Sequence, residues 1–295
     1  MKIIAISTTA VILMLAFWVI TSAKIPDFSS VENYQASLER GEYVFNASGC
    51  ASCHSRPEAT QAEKLVLTGG RSFPSPFGTF YAPNISMDKV YGIGTWSEKD
   101  FANAVRHGVS PEGKHYYPSF PYTAYANMTD QDIADLWAYF KSIPESSKPS
   151  IDHDLPMYVR WRRPIAFWKL LNTREPITEL VSSDAKVQRG AYLVETLGHC
   201  GECHTSRNFI GGLQYEYWLG GAKNPAGRGM IPNITPTKLT WDTEEIVEYL
   251  ASGFTPDFDV AGGHMADVVE NTSKLTEEDR LAIAEYLKAI PGVQK

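Results

Sequence analysis

Two short runs of the chain combine cysteine and histidine in the same pattern, Cys-x-x-Cys-His, at residues 50–54 and 200–204. Two thiols one helical turn apart can form thioether bonds to the two vinyl groups of a porphyrin, and the adjacent histidine can ligate the iron from the proximal side. The pattern therefore predicts two covalently attached haem c groups. The predicted attachment residues are Cys50, Cys53, Cys200 and Cys203, and the predicted proximal ligands are His54 and His204.

Two other uses of paired cysteines explain the pattern less well. A thioredoxin-like pair opens a helix after a strand in a βαβ unit, and no such unit flanks either copy. A zinc site would have to combine two pairs that lie 150 residues apart in the sequence. Neither use explains why a histidine follows both pairs. Because the two motifs contain all four cysteines of the chain, disulfide bonds are excluded as well.

An apolar run at the N-terminus predicts export. Residues 3–23 are mostly apolar and follow Lys2, and as a helix they are about 30 Å long, enough to cross a bilayer core. The small residues at 21–23 would also suit cleavage of a secretory signal. Residues 1–24 are therefore expected to be a retained membrane anchor, with a cleaved signal as the alternative. Either interpretation places the rest of the chain on the periplasmic side of a bacterial cytoplasmic membrane, since bacteria attach haem c outside the cytoplasm.

The segments around the two motifs repeat in the same order. Gly-x-Tyr precedes each motif, Pro-Asn-Ile follows it, and Thr-x-x-Asp comes further on. These elements lie at 41–43 and 190–192, at 83–85 and 232–234, and at 129–132 and 276–279. A nearly constant offset indicates two related domains in tandem. The predicted organisation is a first domain at 35–144, a linker at 145–187 and a second domain at 188–295.

The clearest predicted element of each repeat is its last helix. Thr129 and Thr276 are suited to cap the N-termini, with an acid three residues on as in a capping box, and apolar residues follow at helical spacing. Pro144 and Pro291 are expected to end these helices. No segment shows a convincing strand period, so the predicted fold is all-α with long irregular loops.

The linker changes character along its length. Residues 145–150 are predicted to be exposed coil, whereas 156–171 contains Trp161, Trp168 and three arginines. This second stretch is expected to pack across the domain junction, and the alternative is that it docks a partner or the membrane surface. The net charge of −7 argues against a nucleic-acid partner.

With these motifs in this order, the chain resembles the multi-haem cytochrome c subunits of bacterial membrane-bound dehydrogenases of the alcohol and sugar type. The resemblance covers roughly residues 35–292. Relatives of the alcohol dehydrogenase type carry three haem domains, so this chain is similar to a shorter, dihaem branch. The resemblance implies two class-I-like cytochrome c domains that pass electrons from a periplasmic dehydrogenase, or another redox protein complex, toward quinone, a soluble cytochrome or a terminal oxidase.

The resemblance also implies where the sixth iron ligands lie. Met265 follows two glycines where the family has its axial methionine. In the first domain Phe120 stands where better-known relatives have methionine, and phenylalanine cannot ligate iron. Met128 is the nearest methionine and becomes the candidate, although it aligns with Leu275 at a position typical of a hydrophobic staple. The alternatives are a histidine, with His107 and His115 nearby, or an open site.

Two classes of function remain from the sequence. The favoured one is an electron-transfer protein or subunit without substrate chemistry of its own. The alternative is a haem enzyme with an open first-domain iron, such as a dihaem peroxidase or a thiosulfate-oxidising cytochrome. Several residues with side-chain N–H donors could bind haem propionates or could equally be packing or solvated residues. They are Asn84, Asn233, Trp96, Trp241, Arg71 and Arg228.

Overall fold

The computed structural model describes residues 2–23, 26, 34–174, 182–225, 227 and 229–294. The first group of helices is α1 Lys2–Ile20, α2 Leu38–Ala47, α3 Cys50–His54, α4 Glu98–His107, α5 Tyr122–Tyr125, α6 Asp130–Phe140, α7 Met157–Arg160 and α8 Ile165–Asn172. The second group is α9 Ala185–Ala191, α10 Gly201–His204, α11 Thr243–Ser252, α12 His264–Thr272 and α13 Glu277–Ala289. We call residues 34–144 the first half and residues 188–294 the second half.

The N-terminal apolar run forms α1, as its composition predicts. Of α1, side chains are described from residue 11 onward. Over the described part of the chain, no helix is both long and apolar enough to cross a membrane.

Each half is built on one close helix pair, α2 with α6 and α9 with α13. The glycine of each Gly-x-Tyr motif lies at the crossing. A Cβ atom on Gly41 would lie 2.1 Å from the carbonyl oxygen of Asp135, and one on Gly190 would lie 1.9 Å from that of Ala282. The two backbones can approach this closely because glycine has no side chain.

The predicted closing helices α6 and α13 are confirmed, together with Thr129 and Thr276 as their caps. The return bond of a capping box is wrong, because the N–H of each cap residue donates to a tyrosine hydroxyl instead of to the aspartate. The side chain of Thr129 accepts a hydrogen bond from the backbone N–H of Asp132 at 3.1 Å, and Thr276 accepts one from Asp279 at 3.2 Å. Both caps satisfy an N–H group that the helix itself leaves unpaired.

One hydrophobic core runs through both halves. It contains Phe45 and Leu136 of the first half with Val194 and Tyr286 of the second. The two halves therefore pack directly against each other, and their contact does not depend on the linker alone.

The expectation that the chain forms no strand is wrong at two places. Ser72–Ser75 (β1) pairs with Gly78–Tyr81 (β2) in an antiparallel hairpin, and a pair of two-residue strands forms at 222–223 (β3) and 230–231 (β4). These strands are too short to show a period of two, and Pro74 interrupts the first one. Tertiary contact completes the first hairpin, since Thr79 also pairs with Asp154 of the linker.

The linker packs across the junction only in part. The indole N–H of Trp168 donates to the carbonyl oxygen of Ile210 in the second half at 2.8 Å, while its ring lies 6.5 Å from that of Tyr122 in the first half. The prediction is confirmed for this residue. It is wrong for Trp161, which is 57% exposed and contacts Phe17 of α1 at a ring distance of 5.6 Å.

We expect Gly41→Ala and Gly190→Ala each to destabilise the haem-loaded protein by about 1–3 kcal/mol, because the added methyl group overlaps a backbone oxygen of the facing helix. Urea unfolding followed by the haem Soret band measures the change. Gly262→Ala is the matched control, since a Cβ there meets no atom within 4 Å. Equal effects at all three positions would contradict the close crossing.

Candidate haem sites

Both Cys-x-x-Cys-His motifs begin at a sharp turn in the backbone. In the first half, Gly49 takes a left-handed conformation with φ +60° between α2 and α3. At the same place in the second half His199 has φ +38°, after α9 has continued into a π-helical stretch at Tyr192–Leu197. In the first half, the turn brings α3 back beside α2.

The proximal histidines are held by the first residue of the Pro-Asn-Ile motifs. The Nδ1 atom of His54 lies 2.9 Å from the carbonyl oxygen of Pro83, and Nδ1 of His204 lies 2.8 Å from that of Pro232. Burial lowers the pKa of both imidazoles, which these backbone contacts partly oppose. An imidazole that is neutral and donates from Nδ1 has Nε2 available for iron, the usual arrangement of a metal-ligating histidine.

The motif cysteines differ from redox-active cysteines in their acidity. Burial raises the pKa of Cys50 to about 12, with a smaller contribution from Cys53, and burial raises the pKa of Cys200 to about 12 in the same way. Catalytic Cys-x-x-Cys pairs instead lower the thiol pKa to generate the thiolate. The thiols here are suited to a stable covalent role.

The second cysteines of the two motifs are neighbours in space. The pKa of Cys53 is raised to about 11, mainly by burial, and Cys203 of the other half is close enough to contribute to the rise. Two thiols at helical spacing with a histidine oriented through Nδ1 are the donor set of covalently bound haem c. The residues of both motifs therefore fit this group.

Met265 lies in the first turn of α12, two residues after Gly263, and is partly buried against the core. The structure places it at the start of a helix. This short helix belongs to the second half and also contacts α2 of the first half.

Met128 is buried in the core at 2% exposure and immediately precedes the cap of α6. Leu275 is buried in the same core at the corresponding position before the cap of α13. Phe120 is partly buried in a cluster of aromatic rings, 6.1 Å from Tyr116 and 6.0 Å from Tyr125. An aromatic cluster thus occupies the region that carries the axial methionine in better-known relatives.

His115 is occupied by other contacts. Its Nε2 lies 3.1 Å from the carbonyl oxygen of Thr21, and its Nδ1 lies 3.2 Å from the ammonium group of Lys169. Both ring nitrogens therefore have partners near the end of α1. The pKa of His107 is lowered by burial and by the charges of Arg106 and Lys169.

Comparison with known proteins agrees with this geometry. The cytochrome c family matches residues 38–144. A protein described as "Diheme cytochrome c-type" from Cereibacter sphaeroides is 53% identical over 257 residues, which are 86% of either chain. This chain belongs to the c-type cytochromes. It is an electron-transfer protein that carries covalently bound haem c.

The cytochrome is also similar to the cytochrome subunits of two dehydrogenases. The fructose dehydrogenase cytochrome subunit of Gluconobacter japonicus is 34% identical over 88% of this chain. The cytochrome c subunit of the quinone-dependent alcohol dehydrogenase of Gluconobacter oxydans is 36% identical over 88% of it. The matched region spans 54% and 56% of these two longer subunits. These relatives favour electron transfer over the alternative of a haem enzyme.

A crossed pair of contacts joins the two halves of the cytochrome, which sequence reasoning missed. The hydroxyl of Tyr192, in the second half, donates to Asp132 of the first half at 2.5 Å and accepts from the backbone N–H of Thr129 at 3.1 Å. In the opposite direction, Tyr43 of the first half donates to Asp279 of the second. The tyrosine of each Gly-x-Tyr motif therefore binds the cap region of the other half.

An arginine in each half completes the crossed contact. Arg40 binds Asp132 at 3.1 Å, and Arg189 binds Asp279 at 2.5 Å. Each aspartate thus accepts from an arginine of its own half and a tyrosine of the other. The repeated Gly-x-Tyr and Thr-x-x-Asp motifs carry these residues, but their spacing alone does not tell which copies pair.

The helix that carries Met265 also rests on the first haem motif. Arg71 donates to the carbonyl oxygen of Ser52 within that motif and to Asp267 of α12 at 2.7 Å. The side chain of Asn271, in the same helix, donates to the hydroxyl of Ser52 at 2.7 Å. The helix that carries Met265, the candidate sixth ligand, is therefore hydrogen-bonded to the first Cys-x-x-Cys-His motif.

The asparagines of the two Pro-Asn-Ile motifs bind backbone carbonyl oxygens. The amide of Asn84 donates to the carbonyl oxygens of Ser146 and Lys148 at 2.7 and 2.8 Å, and that of Asn233 donates to Val293 at 2.9 Å. The side chains of both asparagines fix the backbone of the segment that follows a closing helix. Among the other propionate candidates, Trp96 and Trp241 pack against the core, and Arg228 lies outside the described residues.

The crossed contact at Asp279 predicts a pH effect on stability. Burial raises the pKa of this carboxyl, but the hydrogen bonds from Arg189 and Tyr43 outweigh it and bring the pKa below the ordinary 3.8. A carboxyl with a lowered folded-state pKa stabilises the fold above its unfolded-state pKa and loses that effect as the pH falls through the folded-state value. We expect the difference in unfolding free energy between wild type and Asp279→Asn to shrink below pH 3.8. Urea unfolding across this range measures it, and a constant difference would refute the assignment.

Proposed function

We propose that this cytochrome carries two haem c groups and transfers electrons between a periplasmic dehydrogenase, or another redox protein complex, and the respiratory chain. The electron acceptor belongs to the class of quinones, soluble cytochromes or terminal oxidases. The first haem is attached through Cys50 and Cys53 with His54 as proximal ligand. The second is attached through Cys200 and Cys203, with His204 and Met265 as its iron ligands. Met128 is the candidate sixth ligand of the first haem.

The main support for this proposal is that the two predicted proximal histidines make the same hydrogen bond. His54 and His204 follow two cysteines at identical spacing, and each is oriented by the carbonyl oxygen of a proline in a repeated motif. A protein with one haem site would not require a second histidine oriented by a proline carbonyl oxygen. The domain layout proposed from the sequence, with one haem domain at 35–144 and another at 188–295, follows from the same duplication.

We further propose that the cytochrome acts at the periplasmic face of the bacterial cytoplasmic membrane, with residues 1–24 as its anchor. The apolar composition of α1 and the need to attach haem c outside the cytoplasm support this location. The related subunits of dehydrogenases support a dehydrogenase as the electron donor. These subunits are longer than this chain, and the substrates of their complexes are not assigned to it.

Bound haem supplies reversible one-electron chemistry at its iron. The protein's own residues then determine how that chemistry is used. The carbonyls of Pro83 and Pro232 keep the imidazoles oriented and electron-rich. Cys53 and Cys203 place one attachment point of each haem near the junction of the halves, and the crossed tyrosine–aspartate contacts keep the two halves from moving apart. This arrangement favours electron exchange within one chain.

We expect wild-type protein to contain two haems per chain in a pyridine haemochrome assay. The variants Cys50→Ser/Cys53→Ser and Cys200→Ser/Cys203→Ser should each retain one covalent haem, because each motif holds its own group. Haem staining of denaturing gels checks that the remaining group is covalent. Loss of both haems from a variant that still folds would contradict independent sites, and a wild-type content of one haem would contradict the duplication.

We expect Met265→Leu to lower the reduction potential of the second haem, because a thioether ligand stabilises ferrous iron and leucine keeps the volume without the sulfur. Potentiometric titration measures the shift, and carbon monoxide binding to the reduced protein reports an opened iron. Met128→Leu makes the same test of the first haem. An unchanged titration identifies the substituted methionine as a packing residue.

A further inference from the structure

The linker segment 155–174 differs in charge from the rest of the chain. It contains five basic residues and no aspartate or glutamate, within a protein of net charge −7. Its helices α7 and α8 also expose large apolar side chains, among them Tyr158, Leu170 and Leu171. A basic surface with exposed aromatic and aliphatic residues is unusual for a water-facing linker.

Three of these basic residues border an open cleft of about 820 Å³. The lining includes Arg160, Arg162 and Arg163 from the linker, together with Lys114 from the loop after α4. Residues 21–23, which follow α1, form another part of the wall. Glu112 is the one carboxylate among the lining residues. The described wall of the cleft therefore carries a clear excess of positive charge.

The arginines are held in place without being neutralised. The guanidinium of Arg163 lies 3.3 Å from the ring centroid of Trp18 and donates to the hydroxyl of Thr21 at 3.2 Å. That of Arg162 lies 4.6 Å from the ring of Tyr117. Within the described residues, no carboxylate forms an ion pair with Lys114 or with any of the three arginines. Their charge is therefore available to an anionic ligand.

Apolar surface lies directly beside the cleft. Trp161 is 57% exposed and contacts Phe17 of α1, and the last residues of α1, Val19 and Ile20, are exposed as well. A ligand that fits both surfaces carries a negative charge at one end and hydrocarbon at the other. Tryptophan and arginine side by side at the end of an apolar helix are typical of a membrane–water interface.

We propose that this cleft binds the phosphate of an anionic phospholipid headgroup, with phosphatidylglycerol as the test case. Lys114, Arg160 and Arg162 supply the charge, Arg163 links the site to the end of α1, and Trp161 lies at the level of the glycerol backbone. The proposal rests on the proposed membrane location and adds to it a lipid class. Binding at this point orients the first half of the cytochrome against the membrane surface.

The test uses the full-length, haem-loaded protein in phosphatidylcholine vesicles that contain a small fraction of spin-labelled lipid. Electron paramagnetic resonance measures the motionally restricted component for labelled phosphatidylglycerol and for labelled phosphatidylcholine. We expect wild type to restrict phosphatidylglycerol preferentially. Arg160→Gln/Arg162→Gln should reduce its relative association constant about fivefold per charge removed, the factor that corresponds to about 1 kcal/mol for each basic residue near an anionic surface.

The matched control is Lys148→Gln/Lys238→Gln, which removes two exposed charges from other parts of the surface and should leave the preference unchanged. The proposal is overturned if wild type shows no preference, if the preference survives in Arg160→Gln/Arg162→Gln, or if the control loses it equally. Inorganic phosphate at constant ionic strength distinguishes the source of the ligand. Binding of inorganic phosphate by wild type, without a preference for phosphatidylglycerol on vesicles, would show a site for free phosphate and overturn the lipid assignment.

The proposed function is tested separately. Alkaline carbonate extraction of cell membranes reports whether α1 anchors the protein, and haem content reports the redox part. Release by carbonate together with a lipid preference on vesicles would refute the anchor and leave the headgroup site standing. A retained anchor without lipid preference would refute the site alone. If a purified dehydrogenase complex instead cross-links to Arg160→Cys and vesicles show no preference, the cleft is a protein interface and the proposal fails.

Discussion

The hydrogen bonds that Tyr43 and Tyr192 make across the junction are the interaction on which the arrangement of this cytochrome depends. Each tyrosine binds an aspartate, Asp279 or Asp132, that lies in the first turn of the other half's closing helix. That turn has unpaired backbone N–H groups, so the crossing tyrosine also completes the cap. The closing helix of each half is therefore capped in part by a tyrosine of the other half. Separating the halves would break hydrogen bonds at the N-termini of both closing helices at once. These bonds therefore help to keep the two halves packed around one core.

This crossing has a consequence for the haem sites. The helix with Met265 is bound through Arg71 and Asn271 to Ser52 of the first haem motif. The second half therefore contacts the first Cys-x-x-Cys-His motif through the helix that carries Met265. Contacts between the halves thus join the two candidate haem sites directly, and the linker adds the hydrogen bond from Trp168 to Ile210.

Charge is distributed unevenly over the molecule, and the distribution follows the fold. The acidic excess of the chain lies mostly in the second half, whereas the basic linker segment lies against the end of α1. The long side chains of Arg162 and Arg163 pack on aromatic rings and keep their charge accessible. The basic surface and the acidic excess therefore belong to different parts of the fold.

The sequence by itself determined those features that depend on residues close together along the chain. The thiols and the imidazole of each motif are set by spacings of three and one, and the caps at Thr129 and Thr276 act on an N–H three residues on. The tertiary structure alone decided which repeat pairs with which. A duplication specifies two similar halves, but Tyr43 could equally have met its own half's Asp132, and only the packing of α2 against its neighbours excludes this. The same holds for Asn84, whose amide binds the backbone of a segment more than sixty residues away, because a long-range partner is chosen by the relative placement of elements and not by local spacing.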